Sequence, residues 1–166
     1  MGETAEVYGH QGNPTQPVRV PSATISPVRD MDKALGDGGM PLLGQLGVDF
    51  RRYGEGWVEA GWTPTESACN PVGAVHGGVY AVVHDAAMNF ATNSALERGE
   101  SGATISITYS TMRGAKAGDE LAVRGEVVRL ARQIAYLQTI ITNAEGHTVS
   151  TATGTFILRR RERQQP

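Results

Sequence analysis

The spacing of apolar residues changes along this chain and predicts where a helix and several strands lie. Between Gly78 and Gly99 the apolar residues recur three and four positions apart, as on a helix with one face against a core. These residues are Val79, Val82, Val83, Ala86, Ala87 and Phe90. Gly99 predicts the end of the helix, because glycine commonly follows the last helical turn. We therefore expect one long helix in the middle of the chain.

On both sides of that helix the spacing is typical of strands. A short helical pattern at residues 40–46 is followed by a predicted strand pair at 48–62 that turns at 53–56. After the helix, Ile105, Ile107 and Tyr109 alternate with hydroxyl residues, and three more strands are predicted at 121–128, 134–142 and 149–158. This order predicts an α+β fold in which a five- to six-stranded antiparallel sheet wraps one long central helix.

The composition fits a single folded domain with a tail at each end. The chain has 166 residues, of which 40% are hydrophobic and 19% charged. Residues 1–39 begin with a stretch rich in Gly, Pro, Gln and Thr, and we expect them to form a flexible arm. Residues 40–158 then form the domain. Residues 159–166 form a basic tail that we expect to lie in solvent.

Charge and cysteine content exclude several classes of protein. The net charge is −2, and four of the fifteen basic residues lie in the arginine-rich tail, so the rest of the chain is acidic and we expect no nucleic-acid partner. No stretch approaches the ~20 apolar residues of a membrane span, so we expect no membrane association. Cys69 is the only cysteine, which excludes an internal disulfide and suits a reducing, cytoplasmic compartment.

The residues around the start of the long helix carry the candidate chemistry. Gly77 and Gly78 end a loop and open the helix, where backbone N–H groups at the positive end of the dipole can stabilise an oxyanion. Asp85 lies two turns further on, away from the core stripe, with no lysine or arginine three or four positions away. An unpaired carboxylate in this position is a candidate base or nucleophile.

Two residues of this segment have simpler explanations, and the histidines also have to be considered as metal ligands. His76 can hydrogen-bond the loop, a role that we favour over proton transfer. Asn70, which precedes Pro71, is equally suited to an Asx turn. His76 and the pair His84–Asp85 raise the question of a metal, but their spacing is not that of His-Glu-x-x-His. We therefore predict no metal and no cofactor.

The segment from Asn70 to Asp85 resembles the active-site segment of hotdog-fold acyl-CoA thioesterases of the phenylacetate-pathway (PaaI-like) type. The resemblance extends over about residues 40–158. It implies a hotdog fold, a homodimer or dimer of dimers with the active site at the subunit interface, and hydrolysis of acyl-CoA or acyl-carrier thioesters. It also implies that Asn70, His76, Gly77, Gly78 and Asp85 occupy motif positions, and that Thr104 helps to hold the lytic water.

In the implied mechanism, the N–H of Gly77 or Gly78 and the Asn70 amide polarise the thioester carbonyl, while Asp85 activates water or attacks directly. Further candidates for binding the acyl group are Tyr80 and Met88, with Phe90. Candidates for binding the phosphates of CoA are Arg113, Lys116 and Arg132, although solvated surface charge explains these three basic residues equally well. Two alternatives stay open: an acyl-thioester dehydratase that uses His76 and Asp85, and a non-catalytic acyl-CoA-binding protein.

Overall fold

The computed structural model describes residues 31–161. Its elements in chain order are α1 (Pro41–Gln45), β1 (Val48–Gly54), β2 (Trp57–Trp62), α2 (Gly77–Ser94), β3 (Ser101–Thr111), β4 (Leu121–Leu130), β5 (Ile134–Asn143) and β6 (Thr148–Arg159). Short 3-10 helices lie at Met31–Ala34 and Glu66–Ala68. No helix within residues 31–161 is long and apolar enough to cross a membrane.

The six strands form one antiparallel sheet in the order β1-β2-β4-β5-β6-β3. Helix α2 lies across one face of this sheet and contacts all six strands. The core between helix and sheet contains Trp62, Phe50, Leu137, Ile141 and Phe156. The predicted α+β arrangement, one long helix wrapped by a six-stranded antiparallel sheet, is therefore confirmed.

Helix α2 starts where its sequence predicts and ends one turn earlier. The Ala95 N–H bonds the Thr92 carbonyl at 3.1 Å, which closes the helix after Ser94. Gly99 lies instead in the turn before β3, with φ at +90°, a conformation that favours glycine. The helix also buries side chains beyond the predicted stripe, namely Tyr80, His84, Met88, Ala91, Thr92 and Ser94. The sheet curves around the helix, so more than one helical face is covered.

Strand β3 is an edge strand, and this changes the meaning of its apolar residues. Only β6 pairs with it among residues 31–161, and its register shifts between Thr104 and Ser106. The alternation of Ile105, Ile107 and Tyr109 predicts a strand with one buried face. Instead Ile105 is 55% exposed and Tyr109 37% exposed, because nothing in the described chain covers the free edge.

The N-terminal domain boundary lies before the predicted residue 40. The Met31 side chain is 4% exposed and belongs to the core, and the Gly36 N–H bonds the Phe50 carbonyl at 2.9 Å. The Tyr53 hydroxyl donates to Asp32 at 2.8 Å. The expectation that residues 31–39 belong to the arm was therefore wrong, because Met31 fills space in the core. The remainder of the predicted arm, residues 1–30, lies outside the described residues.

The C-terminal boundary also needs correction. Arg159 ends β6, and Arg160 donates to the buried carboxylate of Glu100 at 2.8 Å. Burial alone would raise the pKa of Glu100, but the Arg160 guanidinium and the Glu97 N–H outweigh it, so the pKa is lowered. The predicted tail thus begins with two residues that belong to the domain. Residues 162–166 lie outside the described residues.

Candidate functional site

The loop before α2 holds Asn70 in an Asx turn. The Asn70 Oδ1 accepts hydrogen bonds from the backbone N–H of Val72 at 3.1 Å and of Ala74 at 3.2 Å. These contacts match the turn that the pair Asn70–Pro71 suggests. They also fix the orientation of the amide. Its Nδ2 has no hydrogen-bond acceptor within residues 31–161 and remains a free donor.

His76 caps the N-terminus of α2. The Nδ1 of its ring accepts the hydrogen bond of the Gly78 N–H at 3.1 Å. The backbone N–H of His76 donates to the Ala68 carbonyl at 2.9 Å. Because Nδ1 is the acceptor, the proton of the neutral ring is on Nε2. The geometry therefore matches the structural role that the sequence favours, and it leaves no unprotonated ring nitrogen free to act as a base.

The cap makes the backbone N–H groups of the two glycines different, although the sequence pattern does not distinguish them. The Gly78 N–H bonds His76 and the Val79 N–H bonds the His76 carbonyl, whereas the Gly77 N–H has no acceptor in residues 31–161. A Cβ placed on Gly77 would meet no atom within 4 Å. The Gly77 N–H is thus an open donor at the positive end of an 18-residue helix.

Asp85 is half-buried. Its helical neighbours alone would predict an unpaired carboxylate, but the structure shows a partner on β3. The Thr104 hydroxyl on β3 donates to Asp85 Oδ1 at 2.6 Å. This contact joins two residues that the sequence places in the site on separate grounds. It leaves Oδ2 without a hydrogen-bond partner in the described chain.

Tyr109 also belongs to this region, although its place in the sequence pattern indicates only a strand residue. Its hydroxyl donates to the Gly77 carbonyl at 3.3 Å. Thr104 and Tyr109 both lie on β3, which runs antiparallel to α2 and follows its surface from Asp85 back to the helix N-terminus. The predicted strand itself could have indicated this contact, since a strand that meets α2 at Asp85 is long enough to reach the first turn of the helix.

Within one chain, Asp85 and the open donor are too far apart to act on one carbonyl group. Gly77 and Asp85 are eight residues apart on a continuous helix, which at 1.5 Å per residue separates them by about 12 Å along the axis. A general base acts within hydrogen-bond reach of the water or proton that it handles. A single subunit therefore presents two half-sites.

The two apolar substrate-binding candidates lie in the core. Tyr80 is 2% exposed with its ring against Trp62, and Met88 is fully buried. Burial raises the pKa of Tyr80, a shift that the Ala115 backbone partly opposes. The hydroxyl makes no hydrogen bond of normal geometry with any described residue. Phe90 is buried as well and stacks on Phe50 at 4.9 Å between ring centroids.

The three basic candidates lie at opposite ends of the sheet. Arg113 and Lys116 are exposed in the loop after β3, and this loop touches the Asn70 loop through a bridge between Ala74 and Lys116. Arg132 is exposed in the turn between β4 and β5, at the end of the sheet near the helix C-terminus. The structure therefore brings Arg113 and Lys116, but not Arg132, to the half-site around Gly77.

Both ring nitrogens of His84 have hydrogen-bond partners in the core. Its ring is 0% exposed, Nδ1 contacts the Thr139 hydroxyl, and Nε2 lies 2.8 Å from the Ser150 hydroxyl. Burial lowers the pKa of His84 to about 4. No group of three or more His, Cys, Asp or Glu residues within 31–161 is arranged to hold a metal ion.

A groove of about 420 Å³ lies on the face of the sheet away from α2. It is lined by strand residues that include Arg124, Glu126, Gln138 and Thr153. None of the site residues predicted from the sequence lines it. The candidate chemistry is therefore confined to the first turns of α2, the loop before it and β3.

Comparison with known proteins points to the same region. The model of the thioesterase superfamily matches residues 72–150, which include the start of α2, Asp85 and Thr104. A curated protein of Haemophilus influenzae that bears the name of an esterase is 26% identical over 103 residues, which are 62% of this chain and 74% of that protein.

Solved structures are similar over most of the domain. The Escherichia coli PaaI protein from the phenylacetic acid degradation operon is 25% identical, with a TM-score of 0.66 over 75% of this chain and 86% of that chain. A hypothetical thioesterase of Streptococcus pneumoniae TIGR4, solved with coenzyme A, is also 25% identical, with a TM-score of 0.64 over 69% of this chain and 88% of that chain.

Proposed function

We propose that the chain, which is similar to hotdog-type thioesterases, hydrolyses acyl thioesters of coenzyme A to the free acid and the thiol. One observation carries this proposal. The half-buried carboxylate of Asp85 is held at one oxygen by the Thr104 hydroxyl, with the other oxygen free to act on water or on a carbonyl carbon. The coenzyme A held by the Streptococcus pneumoniae protein supports this class of substrate.

The N-terminus of α2 supplies the complementary half of the chemistry. The open Gly77 N–H and the Asn70 Nδ2 are donors for the thioester oxygen, which becomes negative as the carbonyl carbon is attacked. His76 keeps the first turn of the helix in place by binding the Gly78 N–H. Asp85 acts as general base on water or as nucleophile, and both roles lead to the same products.

His76 argues against the dehydratase alternative. That reaction needs a histidine base. The Nδ1 of His76 already accepts the Gly78 N–H, and in the neutral ring Nε2 carries the proton, so neither ring nitrogen is free to act as a base. A non-catalytic acyl-CoA-binding protein would not need Asp85 or its Thr104 contact. Hydrolysis is therefore the function that accounts for the largest part of the site.

We propose further that the active site is shared between two copies of the chain. Asp85 and Gly77 of one copy lie about 12 Å apart along the helix axis, so one carbonyl requires Asp85 and Thr104 from one subunit and Gly77 and Asn70 from its partner. The free edge of β3, with exposed Ile105 and Tyr109, is suited to such an interface. The assembly is a homodimer or a dimer of dimers.

The location proposed for this enzyme is the cytoplasm. Cys69 carries a free thiol that lies 3.6 Å from the Thr65 carbonyl, and it has no second cysteine to pair with. A protein without disulfides suits a reducing compartment.

The proposed hydrolysis is tested by measuring free-thiol release from a panel of acyl-CoAs. We expect the wild type to turn over at least one member, and Asp85→Asn to lose about two to four orders of magnitude in kcat while circular dichroism shows an unchanged fold. Binding of acyl-CoA without thiol release would favour the non-catalytic alternative. Loss of water from a 3-hydroxyacyl-CoA without release of thiol would favour a dehydratase.

Two threonines of β3 provide a matched comparison. Thr104→Val removes the hydroxyl that holds Asp85, and we expect kcat to fall by roughly ten- to a hundredfold. Thr104→Ser keeps the hydroxyl and should retain most of the activity. Thr108→Val makes the same chemical change four residues further along the strand, where the hydroxyl makes no described hydrogen bond, and should leave kcat unchanged.

The shared site is tested by mixing two inactive variants. Asn70→Ala and Asp85→Ala each damage every site of their own homodimer. In a mixed dimer one site contains both substitutions and the other site contains neither. Complete exchange of equal amounts makes about half of the dimers mixed, so about one site in four should be intact. Mass-tagged chains report whether subunits exchanged. Exchange without regained hydrolysis would show that each site is built within one chain.

A further inference from the structure

His84 is the residue next to Asp85, and the proposed chemistry does not use it. Its side chain points between α2 and the sheet, where it is 0% exposed, while Asp85 reaches towards β3. A fully buried histidine is costly unless both ring nitrogens are satisfied. Both are: Nδ1 contacts the Thr139 hydroxyl on β5 and Nε2 the Ser150 hydroxyl on β6.

The hydrogen bonds beyond the ring define its tautomer. The Ser150 hydroxyl donates its single proton to the Ser110 carbonyl at 2.9 Å, so it accepts from His84 and the ring proton is on Nε2. Nδ1 is then the acceptor of the Thr139 hydroxyl. The direction of every bond in this network follows from the Ser110 carbonyl, which can only accept.

The network runs from the helix back to the strand that holds Asp85. It starts at His84 on α2, passes through Ser150 on β6 and ends at Ser110 on β3. Six residues before Ser110, on the same strand, Thr104 donates to Asp85. Helix α2 and strand β3 are therefore joined at three points: at the Asp85 carboxylate, through the buried imidazole, and by the Tyr109 hydroxyl at the Gly77 carbonyl.

We propose that neutral His84 is a positioning residue for the thioesterase reaction, because its bridge through Ser150 sets the distance between α2 and β3 at which Thr104 holds Asp85. This inference rests on the proposed function. His84 does not touch the substrate and acts only through Asp85. A loss of the bridge would move the carboxylate relative to the partner subunit's carbonyl-binding half-site, and misplacement by about 1 Å can cost about a hundredfold in rate.

The surroundings of the ring favour its neutral form. Strands β5 and β6 present only hydroxyls to it, β3 presents the Ser110 carbonyl and the Tyr109 ring at 6.2 Å, and the neighbouring Asp85 bonds Thr104. No carboxylate within residues 31–161 forms an ion pair with His84. Burial accordingly lowers the pKa of His84 to about 4.

The test compares three helix variants. His84→Leu removes both hydrogen bonds, and we expect kcat to fall about ten- to a hundredfold with KM within about threefold of wild type. His84→Gln supplies one donor and one acceptor and should recover most of the loss. Ser94→Ala is the matched control: its hydroxyl accepts the Gly56 N–H at 3.0 Å and anchors the other end of the same helix.

The Ser94→Ala control separates positioning from stability. We expect it to lower the resistance to urea as His84→Leu does, but to keep the wild-type kcat below the unfolding transition. A wild-type kcat in folded His84→Leu would overturn the proposal. If His84→Leu does not fold, Ser150→Ala breaks the same bridge at β6. A wild-type kcat in Ser150→Ala would then be the refuting result.

An NMR readout keeps this inference separate from the proposed function. We expect the side-chain carboxyl ¹³C signal of Asp85 to shift in His84→Leu and Ser150→Ala but not in Ser94→Ala, since only the first two loosen its contact with Thr104. If the wild type hydrolyses none of the acyl-CoAs, the proposed function fails, yet these shifts still decide whether His84 positions Asp85. Unchanged shifts in both bridge variants would overturn the proposal.

Discussion

His84 makes the stability of this fold depend on pH in a predictable direction. Its ring is fully buried and hydrogen-bonded as the neutral form, and burial lowers its pKa from 6.5 to about 4. In the unfolded chain the same ring binds a proton below about pH 6.5. Between these two values the unfolded state holds more protons than the folded state, so the free energy of unfolding falls as the pH is lowered.

The size of the effect follows from the two pKa values. Their difference corresponds to about 3 kcal/mol of lost stability once the pH is below 4, at about 1.36 kcal/mol per pKa unit. At pH 5 about 2 kcal/mol of this is already lost. Above pH 7 the His84 contribution is constant. This is a large part of the roughly 5–15 kcal/mol that stabilises a typical domain.

The assay is urea unfolding of wild type and His84→Gln at pH 7.5, 6.5, 5.5 and 5.0, at one fixed protein concentration because an oligomer dissociates on dilution. The glutamine cannot titrate, so other ionisable groups contribute equally to both proteins. We expect the difference in free energy of unfolding between wild type and variant to fall by about 2 kcal/mol from pH 7.5 to pH 5.0.

A difference that stays constant over this range would refute the reasoning. It would mean that His84 binds its proton equally well in both states, which a buried ring held by two hydroxyls cannot do. NMR titration of the ring carbons gives an independent check. A folded-state pKa near 6.5 for His84 would contradict the burial seen in the structure.

Three further substitutions test other features of the molecule. Gly77→Ala should leave the free energy of unfolding unchanged or raise it by up to about 1 kcal/mol, since a Cβ there meets no atom within 4 Å, but it should lower kcat/KM at least about tenfold because the thioester oxygen approaches this N–H in the proposed site. Gly44→Ala in α1 is the control and should leave kcat/KM unchanged. Tyr80→Phe removes a buried hydroxyl that makes no hydrogen bond of normal geometry, and it should raise the free energy of unfolding by up to about 1 kcal/mol. A fall in kcat/KM instead would place that hydroxyl in the substrate site. Arg160→Ala leaves the buried Glu100 without its cation and should cost about 1–3 kcal/mol in urea unfolding, and an unchanged midpoint would show that this end of the chain is not anchored.

Periodicity was sufficient to predict the architecture. The apolar spacing after Gly78 predicted α2, and the change to alternation after Gly99 predicted the later strands to within a few residues. The start of the helix was predicted well because loop glycines and a capping residue act locally. Its end was not, because Ala95 closes the helix one turn before Gly99.

The contacts within the site depend on pairs that are distant in sequence. The hydrogen bond between Thr104 and Asp85, and those of His84 with Thr139 and Ser150, join residues on different elements. Local patterns therefore gave His84 only as a metal-ligand candidate. The distinction between Gly77 and Gly78 likewise depends on which N–H the His76 ring accepts, and sequence spacing does not encode this.

The Asx turn at Asn70 is the local exception. The turn involves residues two and four positions on, so Asn70 followed by Pro71 was enough to suggest it. Its second consequence, a side-chain amide with a free donor, follows from the same two hydrogen bonds. Short-range chemistry was thus predictable in this loop, while its use in a shared site depends on a second subunit.

The position of β3 beside β6 also sets an order of events during synthesis. Thr104 pairs with Phe156 and Thr108 with Thr153, so the strand that supports Asp85 finds its only partner within residues 31–161 about fifty residues later. At roughly 5–20 residues per second, β3 waits several seconds at the ribosome before β6 is made. Such long-range pairing slows folding. A chain that stops before residue 148 lacks β6 and Ser150, so the half-site around Asp85 forms only on a chain that has been translated through β6.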